Sequence, residues 1–589
     1  MKSLRKQIAD IVSEIFVKNG YESEYGQVSI SDRPDLGQFQ CNGGLAAAKK
    51  YKKNPREVAQ QIIDDLSQNK IFKDVSMAGP GFINLTVVDD YLIKHLNLVS
   101  EDKRLGCEKA AKEERIVIDY GGANIAKPLH VGHLRSAIIG ESLKRMAVFL
   151  GARVWGDVHL GDWGLQMGMV ILELKNRYPD LPYFDENYKG EYPLSPPFSI
   201  AELEEIYPAI SAKAKKDETI MEEARQATYE LQQGRAGYKA LWQHIFNTSV
   251  NDLKSDYNAL NIEFDLWLGE SDTQDRIPGL IEKLSAAGSA VKSEGALVVH
   301  VAQEDDKKDI PPLMLVKSDG AILYGTTDLA AVEQRIQDFN PDKILYVVDL
   351  RQSDHFCQLF RAARKTGIAP ESLGLEHIGF GTMNSPDGKP FKTREGGIMK
   401  LKDLIQMITD KARERMIEAD IASDYDRKEK EGITRMVGVA ALKFADLMNQ
   451  PGKNYVFDLD RFASFEGKTG PYLLYTAVRI KSILRKAEER DMALGSLLSP
   501  AGDLERNIML KLIELPCVIE LAFQKRMPNY LCDYVYNLAS LFSSFYHECH
   551  ILREKDIEQR SSWLRLLVLC LSALELVLDL LGIEVPERM

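Results

Sequence analysis

The residues with the clearest chemical potential lie in the run Asn-Ile-Ala-Lys-Pro-Leu-His-Val-Gly-His at positions 124–133. His130 and His133 flank Gly132, and Lys127 precedes them. The start of a helix exposes unpaired N–H groups and a partial positive charge, both of which favour anions. Gly132 allows a bulky anion to approach the backbone closely. The run therefore predicts a polyphosphate site, and two histidines that only cap a helix are the alternative.

A second cationic segment, Gly-Lys-Pro-Phe-Lys-Thr-Arg-Glu-Gly-Gly, lies at 388–397. Its three cations between glycines predict a loop that closes over phosphates and withdraws charge from a leaving pyrophosphate. A solvated basic loop is the alternative for this segment alone, and its pairing with the first run favours the phosphate role.

The elements that must position these residues follow a strand–helix–strand pattern. RIVIDYG at 115–121 predicts an apolar strand, a helix follows from about His133 to Leu150, and RVWGDVHLGD at 153–162 predicts another strand. This spacing is typical of a parallel βαβ unit. Similar apolar runs lie at 296–301, 321–331, 343–349 and 376–381. They predict the second half of one doubly wound sheet.

The whole chain is predicted to be a multidomain α/β protein. At 589 residues it is long enough for about four domains at roughly 150 residues each. The predicted parts are an N-terminal α+β domain at 1–105, a Rossmann-like parallel-sheet domain at 106–400 with an insertion at about 176–275, a helical connector at 401–460, and an all-α bundle at 461–589.

Composition excludes several classes of protein. The hydrophobic share of 45% and the charged share of 28% are ordinary for a folded chain, which excludes disordered, collagen-like and disulfide-scaffold proteins. The net charge of −12 provides no general attraction for nucleic acid, so any such contact needs a local basic surface. The seven cysteines form no CxxC pair, which indicates reduced thiols in a cytoplasmic protein without structural zinc.

One apolar stretch, from Leu564 to Leu581, has the length of a membrane span but not its composition. Four polar residues within it fall on one side of a helical wheel: Arg565, Ser572, Glu575 and Asp579. This pattern predicts a bundle helix with one wet stripe, and no membrane association is expected.

Taken together, the motifs resemble those of arginyl-tRNA synthetases, a family of class I aminoacyl-tRNA synthetases. The similar segments are IDYGGANIAKPLHVGHLRSAIIGESL, HLGDWGLQMG, YGTTDLAA, YVVDLRQSDHF, GKPFKTREGG, FEGKTGPYLLYTAVRI and LGIEVPERM, which reach from position 118 to 589. Two segments depart from the family: Gly121-Gly122-Ala123 replaces the common Ser-Ser-Pro, and the lysine loop keeps Lys392 but continues with Thr393-Arg394. The division of labour between Lys127 and Lys392 stays open.

The resemblance implies an enzyme that activates L-arginine with ATP and transfers it to the 3′-terminal adenosine of tRNA(Arg). It implies Mg²⁺ bound with ATP, no metal ligand on the chain itself, and a monomer in the cytoplasm. It also implies that activation depends on bound tRNA and that the 2′-hydroxyl is the first acceptor.

The resemblance also assigns residues to the substrates. The phosphate-stabilising group is His130, His133, Lys127 and Lys392, and the ATP site adds Ala126, Pro128 and Gly132. The arginine site is Asp119, Asn124, Tyr324, Asp328 and Gln352. Because a guanidinium is planar and permanently charged, fixed carboxylates such as Asp119 and Asp328 suit it. For either aspartate alone, capping of the following helix is the alternative.

The RNA contacts are predicted at both ends of the chain. Tyr472 and Arg479 lie seven residues apart and so share a helix face, which suits a stacked base and its phosphate. By resemblance, Tyr546 and Met589 join them in anticodon binding, and the N-terminal domain contacts the tRNA elbow through a turn with Gln38, Phe39 and Gln40. A packing role is the alternative for each of these residues.

Three other functions remain in competition. A cysteine- or glutamate-specific synthetase would need zinc ligands or a basic pocket, a small nucleotidyltransferase would need no helical C-terminal third, and a silent synthetase paralogue would need no reactive site. Exchange of pyrophosphate into ATP with arginine, with and without tRNA, separates these functions.

Overall fold

The computed structural model describes residues 1–318, 320–385, 387–389, 399–421 and 425–589. The chain forms two compact units. The first contains residues 1–110, 465–579 and 585–589, and the second contains residues 111–464 and 580–584. The boundaries of the four predicted domains stay a prediction.

The N-terminal part of the first unit is an antiparallel sheet with four helices. The strands, in the sheet order β1-β2-β4-β3, are β1 (Val28–Ile30), β2 (Phe39–Cys41), β3 (Phe72–Ala78) and β4 (Phe82–Val87). The helices are α1 (Leu4–Lys18), α2 (Gly43–Tyr51), α3 (Pro55–Leu66) and α4 (Asp89–Ser100). Helix α3 begins where the Asn54 side chain accepts the Arg56 N–H, and its buried residues recur at helical spacing.

The second unit contains most of the chain's elements. Its strands are β5 (Arg115–Asp119), β6 (Arg153–Asp157), β7 (Val291–Ser293), β8 (Ala296–Val299), β9 (Leu313–Val316), β10 (Lys343–Asp349), β11 (Gly374–Phe380), β12 (Met383–Asn384) and β13 (Tyr455–Val456). Its helices are α5 (Val131–Phe149), α6 (Leu165–Arg177), α7 (Ile200–Ala214), α8 (Glu218–Gln232), α9 (Ala236–Ala259), α10 (Ile277–Ala286), α11 (Tyr324–Phe339), α12 (Ser353–Lys365), α13 (Leu401–Glu418), α14 (Arg427–Leu447) and α15 (Leu459–Phe462).

The central sheet of the second unit is parallel, with the strand order β11-β10-β5-β6. Helix α5 links β5 to β6, and α12 links β10 to β11, so the chain winds outward in opposite directions from the central pair β5 and β10. Ligands of open parallel sheets bind at the carboxyl ends of such a pair. The doubly wound sheet that the sequence predicts is confirmed.

Two of the predicted strands are not in this sheet. The run at 296–301 contributes β8, which pairs antiparallel with β7 and β9 in a separate three-stranded sheet. The run at 321–331 forms only a single bridge, between Ile322 and Val316, and then enters α11. A short apolar run has the same appearance in either kind of sheet, so sequence periodicity could not distinguish them.

Close packing fixes α5 under the central sheet. A Cβ atom on Gly140 would lie 2.3 Å from the Tyr120 side chain, so only glycine lets the helix approach the residue after β5. Ser136 adds a bridge, because its hydroxyl donates to the Val347 carbonyl (2.6 Å) and accepts from the Gly121 N–H (2.8 Å). The start of α5 is therefore held against the ends of β5 and β10.

The C-terminal part of the first unit is a helical bundle. Its helices are α16 (Gly470–Glu488), α17 (Asp503–Lys525), α18 (Asn529–Glu548) and α19 (Ile557–Leu580). A short 3-10 helix, Ile551–Arg553, lies between α18 and α19. The other 3-10 helices are Ser23–Gly26, Glu270–Arg276 and Leu350–Gln352. On α19 the four predicted polar positions are half-buried or exposed, while Leu564, Leu567 and Leu574 are fully buried. None of the described helices has the length and apolar character that a membrane span requires.

Candidate active site

A cavity of about 460 Å³ opens at the carboxyl ends of β5, β10 and β11. It lies where the winding of the sheet reverses, and its volume is typical of a small-molecule site. The lining includes Asp119, His130, Gly132, His133, Asp349 and Gln352.

His130 and His133 cap the helix that forms one wall of this cavity. The Gly132 N–H donates to His130 Nδ1 (3.0 Å), and the His130 N–H donates to His133 Nδ1 (3.1 Å). The two rings stack with their centroids 3.9 Å apart. Because Nδ1 is the acceptor in each ring, a neutral imidazole carries its hydrogen on Nε2. The helix-capping alternative is thus observed, and it leaves both Nε2–H groups as donors.

Burial and nearby positive charge favour the neutral form of both rings. Burial lowers the pKa of His130, and the Lys127 ammonium lowers it further. Burial, His130 and Lys127 together lower the pKa of His133 to about 3. Two neutral N–H donors at the positive end of a helix can bind phosphate oxygens without a proton transfer.

The loop before His130 is held by the inserted helices α7 and α9. Lys127 Nζ lies 4.2 Å from the centroid of the Tyr207 ring on α7. Ala126 has a left-handed backbone (φ 58°), and its N–H donates to Ser249 Oγ on α9 (2.9 Å). Pro128, which follows, is half-buried. The Lys127 ammonium therefore faces the insertion.

Lys392 lies outside the described residues, as do all residues from 390 to 398. The next described residues, from Met399 on, lie beside the histidines. The Val131 N–H donates to the Met399 carbonyl (3.1 Å), and the Leu401 N–H donates to the Leu129 carbonyl (2.9 Å). These bonds tie residues 399 and 401 to the start of α5.

Asp119 ends β5 and lines the cavity, but one of its carboxylate oxygens is already hydrogen-bonded to an arginine of the chain. Arg335 Nη2 donates to Asp119 Oδ2 (2.7 Å) and to Asp157 Oδ2 (2.6 Å), and all three side chains are buried. Burial raises the pKa of Asp119, and Arg335 opposes this shift. His159 completes a group with metal-ligand spacing, and Arg335 donates a hydrogen bond to each of its two carboxylates. Sequence analysis, which assigned Asp119 to the substrate guanidinium, missed this internal ion pair.

Asp328 lies in a second carboxylate group at the start of α11. His355 Nε2 is 2.6 Å from Asp328 Oδ2, and the His355 ring centroid is 4.9 Å from that of Tyr324. Burial raises the pKa of Glu270, and the carboxylates of Asp162 and Asp328 raise it further. Among the described residues, neither Asp328 nor Glu270 has a lysine or arginine partner. This group can accommodate a cation supplied from outside.

The two predicted aspartates belong to one polar region. Burial raises the pKa of Tyr346, and the charges of Asp119 and Asp328 both raise it further, which indicates that both carboxylates lie near its hydroxyl. On α11, Asp328 and Arg335 are separated by two helical turns and share a face. Arg335 therefore links the end of β5 to the helix that carries Asp328.

Gln352 lines the cavity, whereas Asn124, which lies between β5 and α5, is not among the lining residues. Asn124 forms a parallel bridge with Gly161, and a Cβ atom on Gly161 would lie 2.2 Å from Asn124 Oδ1. Gln352 ends a 3-10 helix after β10 and lines the cavity. Glycine at 161 is thus required for the observed position of Asn124.

Sequence analysis missed three polar residues of this region: Glu270, Arg335 and His355. His355 lies inside the run YVVDLRQSDHF, and Arg335 lies two turns after Asp328, so local spacing contained a signal for both. Glu270 lies near the end of the predicted insertion, in WLGESD, and only the fold brings it to Asp328.

Comparisons with known proteins agree along the entire length of the chain. Residues 95–459, more than half of the chain, match the family described as tRNA synthetases class I (R), catalytic domain. Residues 473–589 match the DALR anticodon binding domain, and residues 2–87 match the arginyl tRNA synthetase N terminal domain. An arginine–tRNA ligase from Alkaliphilus oremlandii is 55% identical over 590 residues, and one from Hyphomonas neptunium is 49% identical over 591, with 100% of each chain covered.

The chain belongs to the arginine–tRNA ligase family.

Solved structures of arginyl-tRNA synthetases have the same fold as this family member. The enzyme from Plasmodium falciparum superposes with a TM-score of 0.81 at 26% identity, and 100% of each chain is covered. The enzyme from Thermus thermophilus superposes with a TM-score of 0.80 at 22% identity, again over 100% of each chain.

In the bundle of this family member, the predicted RNA-contacting residues form an aromatic and cationic cluster. The Arg479 guanidinium lies 4.5 Å from the Tyr475 ring centroid and 5.3 Å from that of Tyr546 on α18. Tyr472 also faces α18, where its hydroxyl is 3.0 Å from Ser543 Oγ. Tyr472, Arg479 and Met589 are half-buried and Tyr546 is 37% exposed, so part of this cluster is accessible.

The N-terminal candidates of this family member are occupied within their own sheet. The predicted turn at Gln38, Phe39 and Gln40 is largely strand β2. Phe39 is only 2% exposed, Gln38 Oε1 accepts the Val87 N–H (3.0 Å), and Gln40 Nε2 donates to Asn84 Oδ1 (3.1 Å). A packing role accounts for Phe39, whose ring is not accessible to RNA.

Proposed function

We propose that this chain joins L-arginine to tRNA(Arg) in two steps within the cavity at the carboxyl ends of β5, β10 and β11. The observation that carries the proposal is the position of two Nε2–H donors on one wall of the cavity, together with two carboxylates of the second unit, Asp328 and Glu270, that have no lysine or arginine partner among the described residues. The first group suits the phosphates of ATP, and the second suits the side chain of arginine.

On the ATP side, the Nε2–H groups of His130 and His133 bind the phosphates. Gly132 keeps the backbone accessible, and Ala126 and Pro128 shape the loop that receives the nucleotide. Lys127 and Lys392 add positive charge, and Mg²⁺ arrives with ATP as part of the substrate. In this proposal the histidines remain neutral throughout, in agreement with the lowered pKa of each ring.

On the arginine side, Asp328 and Glu270 receive the guanidinium, and Tyr324 covers it. Asp119, which shares its charge with Arg335, lies close to the histidines and so receives the α-ammonium group together with Asn124. Gln352, on the opposite strand end, completes the polar lining. Uncharged analogues leave Asp328 and Glu270 without a cation and are rejected.

The reaction then requires positioning and charge stabilisation more than proton transfer. The arginine carboxylate attacks the α-phosphorus of ATP, the bond to the β-phosphate oxygen breaks, and pyrophosphate leaves. The ribose hydroxyl of the terminal adenosine then attacks the arginyl carbonyl, and AMP leaves. We propose the 2′-hydroxyl as the first acceptor and bound tRNA as a requirement for the first step.

We propose that Tyr472, Arg479, Tyr546 and Met589 of the bundle segment bind the anticodon. The Arg479 guanidinium, which lies over the rings of Tyr475 and Tyr546, offers a positive charge beside aromatic surfaces on which bases can stack.

We further propose that the enzyme acts as a monomer in the cytoplasm, and sedimentation at micromolar concentration would test the oligomeric state.

Two substitutions test the two sides of the site separately. His133→Ala is expected to lower kcat for arginine-dependent pyrophosphate exchange by about 100-fold or more, with little change in the KM for arginine.

Asp328→Asn is expected to raise the KM for arginine by about tenfold or more and to leave the KM for ATP near its original value. Both assays contain tRNA(Arg), and equal effects of each variant on both substrates would contradict the assignment.

A further inference from the structure

His355 holds one oxygen of Asp328, the carboxylate assigned above to the guanidinium. Its Nε2 lies 2.6 Å from Asp328 Oδ2, and the side chains of His355 and Asp328 are 12% and 29% exposed. A carboxylate can only accept a hydrogen bond, so Nε2–H is the donor. The remaining oxygen, Oδ1, accepts no hydrogen bond from the part of the chain that the structure describes.

The other nitrogen of the His355 ring, Nδ1, indicates which nitrogen carries the hydrogen. Nδ1 is buried and has no hydrogen-bond partner among the described residues. A hydrogen on Nδ1 would be a buried donor without an acceptor, which is costly, whereas a bare lone pair costs less. The geometry therefore favours a ring that donates through Nε2 alone, towards Asp328.

The surroundings of His355 restrict its movement. It lies in the first turn of α12, and the rings of Tyr324 and Phe356 lie with their centroids 4.9 and 5.5 Å from its own. Asp328 lies on α11, so the hydrogen bond joins two helices at the carboxyl edge of the sheet. Such a contact fixes the carboxylate in one orientation before substrate binds.

We propose that His355 is a positioning residue for arginine selection: it fixes Oδ2 of Asp328 and thereby presents Oδ1 to the substrate guanidinium. This inference rests on the proposed role of Asp328. His355 does not itself contact the reacting atoms, and its effect passes through the carboxylate.

The test uses the full chain in aminoacylation of tRNA(Arg), with arginine and ATP varied separately. His355→Leu is expected to raise the KM for arginine about tenfold or more, because the carboxylate loses a hydrogen bond to its charged form. The KM for ATP and kcat at saturating arginine should stay within about twofold. His355→Gln keeps an N–H donor and is expected to restore the KM for arginine to within about threefold of the original.

Two controls keep the result specific. His300, an exposed histidine of the same unit, is the matched site, and His300→Leu should leave both KM values unchanged. If His355→Leu does not fold, His355→Asn replaces it, since that side chain is too short to reach Asp328. Equal KM values for arginine in the Gln and Asn variants would overturn the proposal.

A double substitution separates failure of this proposal from failure of the proposed function. If His355 acts through Asp328, adding His355→Leu to Asp328→Asn should raise the KM for arginine no further. Additive effects, or a silent His355→Leu beside a damaging Asp328→Asn, would overturn the positioning role and leave the arginine site intact. A silent Asp328→Asn would instead overturn the arginine site itself.

Discussion

The hydrogen bonds of His130 and His133 are compatible with both roles that the sequence presents as alternatives, helix capping and phosphate binding. Nδ1 of each ring accepts a backbone N–H at the start of α5, which is helix capping, and Nε2–H remains available for phosphate. The two roles are compatible because an imidazole has two distinct nitrogens. Sequence spacing predicts the position of the pair, but only the hydrogen bonds determine which nitrogen faces a ligand.

The lowered pKa of His133 predicts a loss of stability in acid. Its pKa is about 3 in the folded chain, below the ordinary value of 6.5, so the unfolded chain binds the proton more readily. The free energy of unfolding should therefore fall as the pH drops from about 6.5 towards 3, by up to about 1.4 kcal/mol per unit. Urea unfolding at pH 7 and pH 5 measures this change.

The matched variant for the pH experiment is His133→Asn, which cannot titrate in this range. It should lose about 2 kcal/mol less than the original chain between pH 7 and pH 5. The same loss in both proteins would contradict the assignment of this titration to His133.

A buried ion pair anchors the same helix. Arg135 Nε lies 3.1 Å from Asp446 Oδ2, and the two side chains are 2% and 0% exposed. Asp446→Ala would leave the guanidinium buried without its counter-ion, so it should lower the free energy of unfolding by about 3–5 kcal/mol. Tryptophan fluorescence in urea suits this measurement, because Trp155, Trp163, Trp242 and Trp267 all lie in the second unit.

The control for Asp446 lies on the same helix, α14. Glu431 pairs with Arg427 in the solvent, where the side chains are 55% and 93% exposed, and Glu431→Ala should change the free energy of unfolding by about 0.5 kcal/mol or less. A similar cost for both substitutions would refute the special contribution of the buried pair.

At the scale of elements, helix α7 of the insertion contacts two lysines, Lys127 and Lys400. Tyr207 faces Lys127, and Glu204 Oε2 lies 2.7 Å from Lys400 Nζ. The insertion therefore helps to place the loop that precedes the histidines. Sequence analysis identified the insertion but gave no reason to connect it to catalysis.

This contact predicts a ring-dependent effect on ATP use. Tyr207→Leu removes the aromatic face under the Lys127 ammonium and should raise the KM for ATP about three- to tenfold. Tyr207→Phe keeps the face and should leave the KM for ATP unchanged. Tyr229→Leu, at a 58% exposed tyrosine of helix α8, is the control for loss of a surface ring. Identical KM values for the Leu and Phe variants at 207 would refute the prediction.

The sequence predicted the elements that carry local signals and missed the partners that lie far away along the chain. Strands β5, β10 and β11 and helix α5 were predictable from apolar runs and helical periodicity. The Asp119–Arg335 ion pair was not, because its members are separated by 216 positions and each alone resembles an ordinary charged residue. Lys392 was predicted from its loop and lies outside the described residues.

At the scale of the whole molecule, the chain contributes to the second unit twice. Residues 580–584 rejoin it after the bundle segment. The Gly582 carbonyl accepts from Lys443 Nζ (2.8 Å), which is fully buried, and the Leu580 carbonyl accepts from Ser142 Oγ (2.9 Å). Truncation near residue 460 therefore removes part of the second unit as well as the bundle.

Two nested deletions test this return of the chain. Deletion of 580–589 should lower the free energy of unfolding of the second unit by about 2–4 kcal/mol, because buried donors on Lys443 and Ser142 lose acceptors. Deletion of 585–589 alone leaves those acceptors in place and should not change the tryptophan-detected transition. Equal transitions for the two deletions would contradict the prediction.

The late return of residues 580–584 has a consequence for synthesis on the ribosome. Residues 111–464 emerge first, but the Gly582 carbonyl, one acceptor for the buried Lys443 ammonium, emerges only after residues 465–579 have been translated. A nascent chain that stalls within the bundle segment therefore lacks residues 580–584 of the unit that holds the cavity. The order of translation thus makes completion of the second unit depend on synthesis of the whole bundle segment.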